Sequence, residues 1–169
     1  MKNKGEDRPK IQLSLTTADK CWEIIGWLAV IGLWIWVIAH YPKLPGVIPT
    51  HFNEAGKPDG FGRKAYVLAL PLMATILFLG LTVLSRFPYI FNYPTSITKD
   101  NALRQYKNAT RLIRYLKLNI VVIFGLVALR AIQRPGGEQS GLGAWFLPLI
   151  LGLILIPLGF YIVKSYRDR

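Results

Sequence analysis

Residues 44–64, LPGVIPTHFNEAGKPDGFGRK, hold the side chains of this sequence best suited to chemistry. His51 carries an imidazole, the side-chain type most often used to move protons or bind metals. Asp59 and Glu54 follow within eight residues, and His40 lies at the margin of the stretch. Imidazole and carboxylate together are metal-ligand types. No HExxH or comparable spacing accompanies them, and a single histidine serves equally as a hydrogen-bonding group, so the metal assignment stays open. Asp59 or Glu54 could instead pair with Arg130. The same stretch is dense in backbone-restricting residues: Pro45, Gly46, Pro49, Gly56, Pro58, Gly60 and Gly62. A tether needs neither this rigidity nor this mixture of ionisable groups. The candidate recognition residues are His51, Asn53, Asp59 and Lys64, with Pro45, Pro49, Gly56 and Gly62 fixing their geometry.

The local conformation follows from the same residues. Ile48, Thr50 and Phe52 alternate with Pro49, His51 and Asn53, which suits an extended run. Proline cannot donate to a sheet ladder, so Pro49 argues against a central strand. Asn53-Glu54-Ala55-Gly56 and Pro58-Asp59-Gly60 are turn signals. The stretch is expected to fold as a compact, hairpin-like cap.

Other chemistries lack their residues. There is no GxSxG, no phosphate-binding glycine loop, and no serine or cysteine nucleophile beside an evident base. No pair of carboxylates is expected to be buried in the apolar segments, as many proton-coupled carriers need. An enzyme is therefore disfavoured and no cofactor is expected. Cys21 is the only cysteine, so no internal disulfide can form.

The elements that position this loop are apolar. The chain has 169 residues, 52% of them hydrophobic, and the apolar residues come in blocks. Residues 22–39 carry a single charge, Glu23; 65–84 and 144–163 carry none. A spanning helix needs about 20 mostly apolar residues, so these three runs qualify. The fourth, 118–129, is short and is bracketed by Lys117 and Arg130. That interval covers about 20 Å of helix. The hydrocarbon core is about 30 Å thick, and snorkelling of the two cations closes most of the gap. A third span from about 112 to 132 follows, against the alternative of a buried hairpin helix that does not cross. The expected fold is an all-α integral membrane protein with four transmembrane helices, about 22–39, 65–84, 112–132 and 144–163. A short segment, 1–21, precedes a single membrane domain, 22–169, and the motif loop, 40–64, joins the first two spans.

The net charge is +12, which by itself would also suit nucleic acid. Its distribution points to a bilayer instead. Fifteen of the 21 lysines and arginines lie before the first span, in residues 85–117 around the start of the third, or after the fourth. The positive-inside rule then places both termini in the cytoplasm and the His51 loop outside. Aromatic belts agree: Trp22, Trp27, Tyr161 and Tyr166 at the inner interface, Trp36, Tyr41 and Trp145 at the outer one. The first apolar run is too long for a cleavable signal peptide, and no small-x-small site follows it.

Finer expectations concern helix ends and packing. Thr16, Thr17 or Asp19 can cap the first helix. Gly26, Ala29 and Gly32 place small residues three apart for close helix contact. Pro71, Pro148 and Pro157 interrupt the second and fourth helices. Ser96 or Thr98 caps a helix starting near Lys99. Its apolar stripe of Leu103, Tyr106, Ala109, Ile113 and Leu116 leaves Arg104, Lys107, Arg111 and Arg114 largely outside, which predicts a cytoplasmic basic amphipathic helix resting on anionic lipid. Glu23 is expected to meet Lys20, Lys117 or Lys164.

The loop pattern LPxxIPxHFNxxGxPDxFGxK resembles the conserved-domain signature of SdpI-type membrane proteins, shared with many short bacterial proteins. Leu44, Pro45, Ile48, Pro49, His51, Phe52, Asn53, Gly56, Pro58, Asp59, Gly62 and Lys64 carry the resemblance. The later NYP at Asn92 and the tract KDNALRQYKNATRLIRYLK extend it. The family's best-known member is an immunity protein against a secreted peptide toxin. The resemblance implies a bacterial cytoplasmic-membrane protein whose outward motif recognises a peptide toxin, a lipid or an envelope component. A docking role toward another membrane protein, as an accessory subunit, is the second expectation; a small carrier or metal-dependent membrane enzyme is the third.

Overall fold

A computed structural model describes residues 8–133 and 143–168. The elements are α1 (Thr17–His40), a 3-10 turn (Tyr41–Lys43), β1 (Val47–Phe52), β2 (Pro58–Arg63), a 3-10 turn (Lys64–Leu68), α2 (Ala69–Leu84), a 3-10 turn (Pro88–Ile90), α3 (Ala102–Gln133) and α4 (Phe146–Arg167). All four α-helices, α2 together with the turn before it, are long and apolar enough to cross a membrane. The protein is a multi-pass membrane protein, mostly helical, with one short hairpin. The helices run up, down, up and down, so α1 and α3 are parallel. The β-hairpin lies at one end, and both the N-terminal segment and the C-terminus of α4 lie at the other, here the terminal end. Of the predicted charges, Lys2, Lys4, Arg134 and Arg169 lie outside the described residues.

Helix boundaries follow from capping and proline. Thr16 is the N-cap of α1: its Oγ1 accepts from Asp19 N–H, and Asp19 Oδ2 accepts from Thr16 N–H at 3.0 Å. This reciprocal box satisfies two N–H groups that the first turn leaves without helical partners. At α3 the same exchange links Thr98 and Asn101, and the helix proper begins at Ala102 rather than near Lys99. Pro71 and Pro148 do not interrupt their helices. Each is the third residue of its helix, where the missing N–H would have no intrahelical acceptor.

Among the described residues Pro157 alone stands inside a helix. A proline there leaves the carbonyl four residues earlier, Leu153, without its donor. Asn119 of α3 supplies one: its Nδ2 donates to the Leu153 carbonyl at 2.8 Å. Neighbouring helices re-satisfying a proline-freed carbonyl is the general reason such prolines survive in membranes.

α3 packs against each of the other three helices. Its 32 residues span about 48 Å at 1.5 Å per residue, so the expected third span is one continuous helix that also includes the basic stretch before it. The core joins Val30, Leu33 and Val37 of α1, Ala74 and Phe78 of α2, and Val121 and Ala128 of α3. Gly26 admits the Phe78 ring: a Cβ there would lie 2.7 Å from a ring carbon. Gly32 has no such neighbour, so of the expected small-residue stripe Gly26 has the contact that demands a small residue. Trp34 Nε1–H donates to Thr75 Oγ1 at 3.0 Å, tying α1 to α2.

The basic helix departs from the expected lipid-facing arrangement. Arg114 and Lys117 are buried, as are Gln105, Asn108 and Thr110. Arg111 and Arg114 meet Asp19 at 3.3 and 3.4 Å; Arg114 and Lys117 meet Glu23 at 3.1 and 2.5 Å. Asp19, just before the first apolar run, is buried and Glu23 partly so, and each is matched by cations of α3. Of Glu23's three expected partners, Lys117 is one; Arg114 is the other it takes. The reason is geometric. Asp19 and Glu23 are four apart, and Arg111, Arg114 and Lys117 are three apart, so each set lies on one helix face, and the two faces meet because α1 and α3 run parallel. Lys117 Nζ–H also donates to Thr82 Oγ1 at 2.9 Å and lies 4.5 Å from the Phe78 ring centroid. Ser165 and Gln105 close the α4 side with bonds of 2.6 and 2.8 Å.

Outside the helices at this end, Arg8 donates to the carbonyls of Tyr89 and Phe91 at 3.2 and 2.6 Å, fastening the N-terminal segment. Burial, with Tyr161 and Tyr106 nearby, pushes the Tyr93 phenol up against the opposing pull of Arg8. The phenol stays protonated and donates to the Pro88 carbonyl at 2.8 Å.

Candidate functional site

The loop of the sequence motif is an antiparallel β-hairpin anchored in the bundle. Leu44 and Ile48 are buried in the core with Val67, and these three apolar residues hold the hairpin's base down. A two-stranded sheet has only edge strands, so Pro49 is accommodated within β1. Pairing runs Val47 with Arg63, Ile48 with Gly62, Pro49 with Phe61, His51 with Gly60, and Phe52 with Pro58. Thr50 is therefore an extra residue on β1 and Asp59 an extra residue on β2. Such bulges bend a strand and re-aim its side chains. Here they bring His51 Nδ1 to 2.5 Å from Asp59 Oδ1. With Nδ1–H donating to the carboxylate, Nε2 of the neutral ring is left as an acceptor.

Two glycines make this pairing possible. Gly60 faces His51, and a Cβ there would stand 2.9 Å from the His51 Cβ. Gly62 passes the Tyr66 ring and Thr50, at 2.8 and 3.0 Å from a Cβ placed on it. The tip is closed by Asn53, whose N–H donates to the Lys57 carbonyl and whose Oδ1 accepts from Lys57 N–H, at 2.8 and 3.0 Å. Gly56 follows at φ +73, a left-handed conformation suited to glycine. It abuts Gly143, itself at φ +80, so closely that a Cβ on Gly56 would lie 2.6 Å from the Gly143 nitrogen. The tip thus packs against the chain that enters α4.

This packing leaves an open cavity of about 840 Å³ between hairpin and helix. The hairpin contributes His51, Asn53, Glu54 and Asp59; the start of α4 contributes Phe146 and Ile150 among an apolar wall. The site is two-faced, polar on one side and apolar on the other. Of the predicted residues, His51, Asn53, Gly56 and Asp59 line the cavity together. Pro45, Pro49, Gly62 and Lys64 do not. Pro45 is exposed before β1, Pro49 is buried in it, and Gly62 is a ladder partner. Lys64 places its ammonium 4.9 Å from the Tyr41 ring centroid, and its N–H donates to the Gly46 carbonyl.

The metal question takes a definite form. Among the described residues no three histidine, cysteine or acidic side chains gather as a metal site. His40 belongs elsewhere, its ring tilted against Trp36 with the ring centroids 3.9 Å apart. Arg130 pairs with neither Asp59 nor Glu54; its guanidinium lies 5.7 Å from the Trp145 ring centroid. The wall supplied by α4 was not legible in the sequence, because an apolar run gives no sign of which of its faces is covered.

Comparison with known proteins bears on the same stretch. The family described as a domain of unknown function, DUF1648, matches residues 27–75. That interval contains the second half of α1, the whole hairpin and the start of α2. The chain is also similar to an uncharacterized protein of Archaeoglobus fulgidus, 25% identical over 156 residues, covering 85% of each chain. No solved structure matches.

Proposed function

We propose that this protein sits in the cytoplasmic membrane with both termini inside, and that its hairpin recognises an amphipathic ligand arriving from outside. The reading rests on one observation above all. His51, Asn53, Glu54 and Asp59 share a cavity of about 840 Å³ with an apolar face of α4. Two carboxylates facing an apolar wall suit a cationic amphipathic peptide. Its positive groups meet Glu54 and Asp59, and its apolar side chains meet Phe146 and Ile150. The cationic excess at the terminal end and the resemblance of the motif to SdpI-type immunity proteins support the same placement and ligand class. Immunity by sequestering or excluding a toxin peptide is the function we infer.

The test uses the full chain in nanodiscs and a cationic amphipathic helical peptide as probe. Binding is read from the change in the protein's tryptophan fluorescence, Trp145 being the tryptophan beside the cavity, against a tryptophan-free peptide. Asp59→Asn and Glu54→Gln together should weaken binding about tenfold or more, the loss of a rim charge pair or two. Equal binding by this variant and wild type would refute the site. Orientation is checked separately in a Cys21→Ser background with a single cysteine at Lys57. An impermeant maleimide should label it in intact cells, and labelling only after lysis would overturn the placement. Binding that requires a second membrane protein would favour the accessory-subunit reading.

A further inference from the structure

A second cavity, of about 700 Å³, lies at the opposite end of the bundle. The N-terminal segment, the start of α1, the end of α2 and α3 enclose it. Its charged lining is Lys10, Arg86, Arg114 and Glu23, so cations outnumber carboxylates three to one. The one carboxylate is already neutralised from behind by the buried Lys117. Arg114 uses Nε on Glu23 and Nη1 on Asp19, while its Nη2 has no hydrogen bond to a described residue. Lys10 and Arg86 are exposed and form no ion pair among the described residues. Lys10 is held only over the Tyr89 ring, at 5.5 Å. The remaining walls include the apolar Leu13 and Phe87, and exposed Val83 and Leu84 of α2 adjoin them.

This is a positively charged recess where a spanning helix ends, the depth at which phospholipid headgroups lie. We propose that it binds the phosphate of an anionic phospholipid from the leaflet at the terminal end, with the acyl chains running down the apolar faces of α1 and α2. Lys10 and Arg86 supply uncompensated charge, and Arg114 Nη2 supplies a fixed donor. Guanidinium and ammonium groups near a membrane surface bind such headgroups in general. The salt bridges behind the pocket hold Arg114 in place, so the donor is organised before the lipid arrives.

The experiment uses the full chain, delipidated in a mild detergent. It is titrated with short-chain phosphatidylglycerol, short-chain phosphatidylcholine and inorganic phosphate, with adducts read by native mass spectrometry and binding by thermal shift. Wild type should prefer phosphatidylglycerol to both other probes. Lys10→Ala with Arg86→Ala should weaken that binding about thirtyfold, and Arg86→Ala alone about fivefold. Both side chains are exposed and form no ion pair among the described residues, and Lys10 gives up only its contact over the Tyr89 ring, so these variants should unfold close to the wild-type temperature without lipid. A control removing two other exposed cations at this end, Lys99→Ala with Arg104→Ala, should change binding less than twofold. Three results would overturn the proposal: no preference for phosphatidylglycerol over phosphatidylcholine, equal loss in the control, or inorganic phosphate binding as tightly as the lipid. The last would mean a free-phosphate site instead.

Discussion

The bond between Asn119 and Leu153 makes a prediction that sequence similarity could not. Pro157 removes the N–H that would otherwise serve the Leu153 carbonyl, and Asn119 replaces it at 2.8 Å. Replacing Asn119 by Leu keeps the γ-branched shape and the number of heavy atoms and deletes the donor. The carbonyl is then unpaired among apolar groups, which costs about 1–3 kcal/mol in protein interiors. Interhelical hydrogen bonds in membrane proteins measure lower, about 0.6 kcal/mol on average and about 1.7 at most. Asn119 is 6% exposed and the freed carbonyl has no helical donor, so the upper part of that range applies, about 1–1.7 kcal/mol. In a Pro157→Ala background the helix regains its own N–H for Leu153. Asn119→Leu should then be close to neutral, giving a coupling of about 1 kcal/mol between sites on different helices. The assay is a double-mutant cycle by reversible unfolding in mixed micelles with a denaturing detergent. An equal cost for Asn119→Leu in both backgrounds would show that Asn119 contributes packing alone and sink the argument.

Other substitutions follow from the same geometry. Glu23→Gln strands the fully buried Lys117 and should cost about 3–5 kcal/mol, whereas Lys117→Met leaves Glu23 with Arg114 and should cost clearly less; the double variant should recover most of the loss in the same unfolding assay. Gly56→Ala forces a side chain into the left-handed region at a cost of about 1–2 kcal/mol and drives a methyl into Gly143, so it should lower the unfolding temperature and shift Trp145 fluorescence. His51→Ala removes a pair whose side chains are 72% and 43% exposed, so stability should change by less than about 1 kcal/mol. A larger loss on thermal unfolding would recast the motif as a structural cap, and stoichiometric metal lost with His51, measured by elemental analysis, would reopen the metal reading.

Much of this architecture is legible in the sequence because a bilayer simplifies the problem. Uncharged runs of about 20 residues can do little but span, and the short apolar run after Lys117 does belong to a third helix long enough to cross, although Lys117 is buried against Glu23 and Thr82 rather than snorkelling to an interface. The hairpin is legible from Pro49, Asn53-Glu54-Ala55-Gly56 and Pro58-Asp59-Gly60, because each turn residue has a specific backbone reason to be there. The double bulge is not. One residue of register decides whether His51 meets Asp59, and residue type alone does not set it. Nor was the fate of Arg114, although Lys117 was among the partners expected for Glu23. The basic stripe with Arg111 and Arg114 reads as a solvated face until the spacing on α3 is set beside Asp19 and Glu23 on α1. The signal was present in two distant segments, but its use needs the knowledge that these helices are parallel neighbours.

The two ends of the bundle solve different problems with the same material. At the terminal end the charges face one another across α1 and α3, and Thr82 and Phe78 complete the surroundings of Lys117. Such a network fixes helix register, since sliding α3 by one turn would leave Lys117 buried against apolar α1 and Arg111 against Glu23. At the hairpin end the ionisable groups are exposed, and His51 and Asp59 satisfy only each other. An exposed pair contributes little to stability. Two consecutive bulges and the close approach at Gly60 are therefore poorly explained by stability alone. The anchoring is supplied by Leu44, Ile48 and Val67, and a plainer turn could serve them equally well. What the bulges and the Gly56–Gly143 contact do is hold His51, Asn53 and Asp59 beside the apolar start of α4. That is the economy expected of a recognition surface. Under the recognition role proposed above, polar groups fixed in position before a ligand arrives would lower the ordering cost of binding.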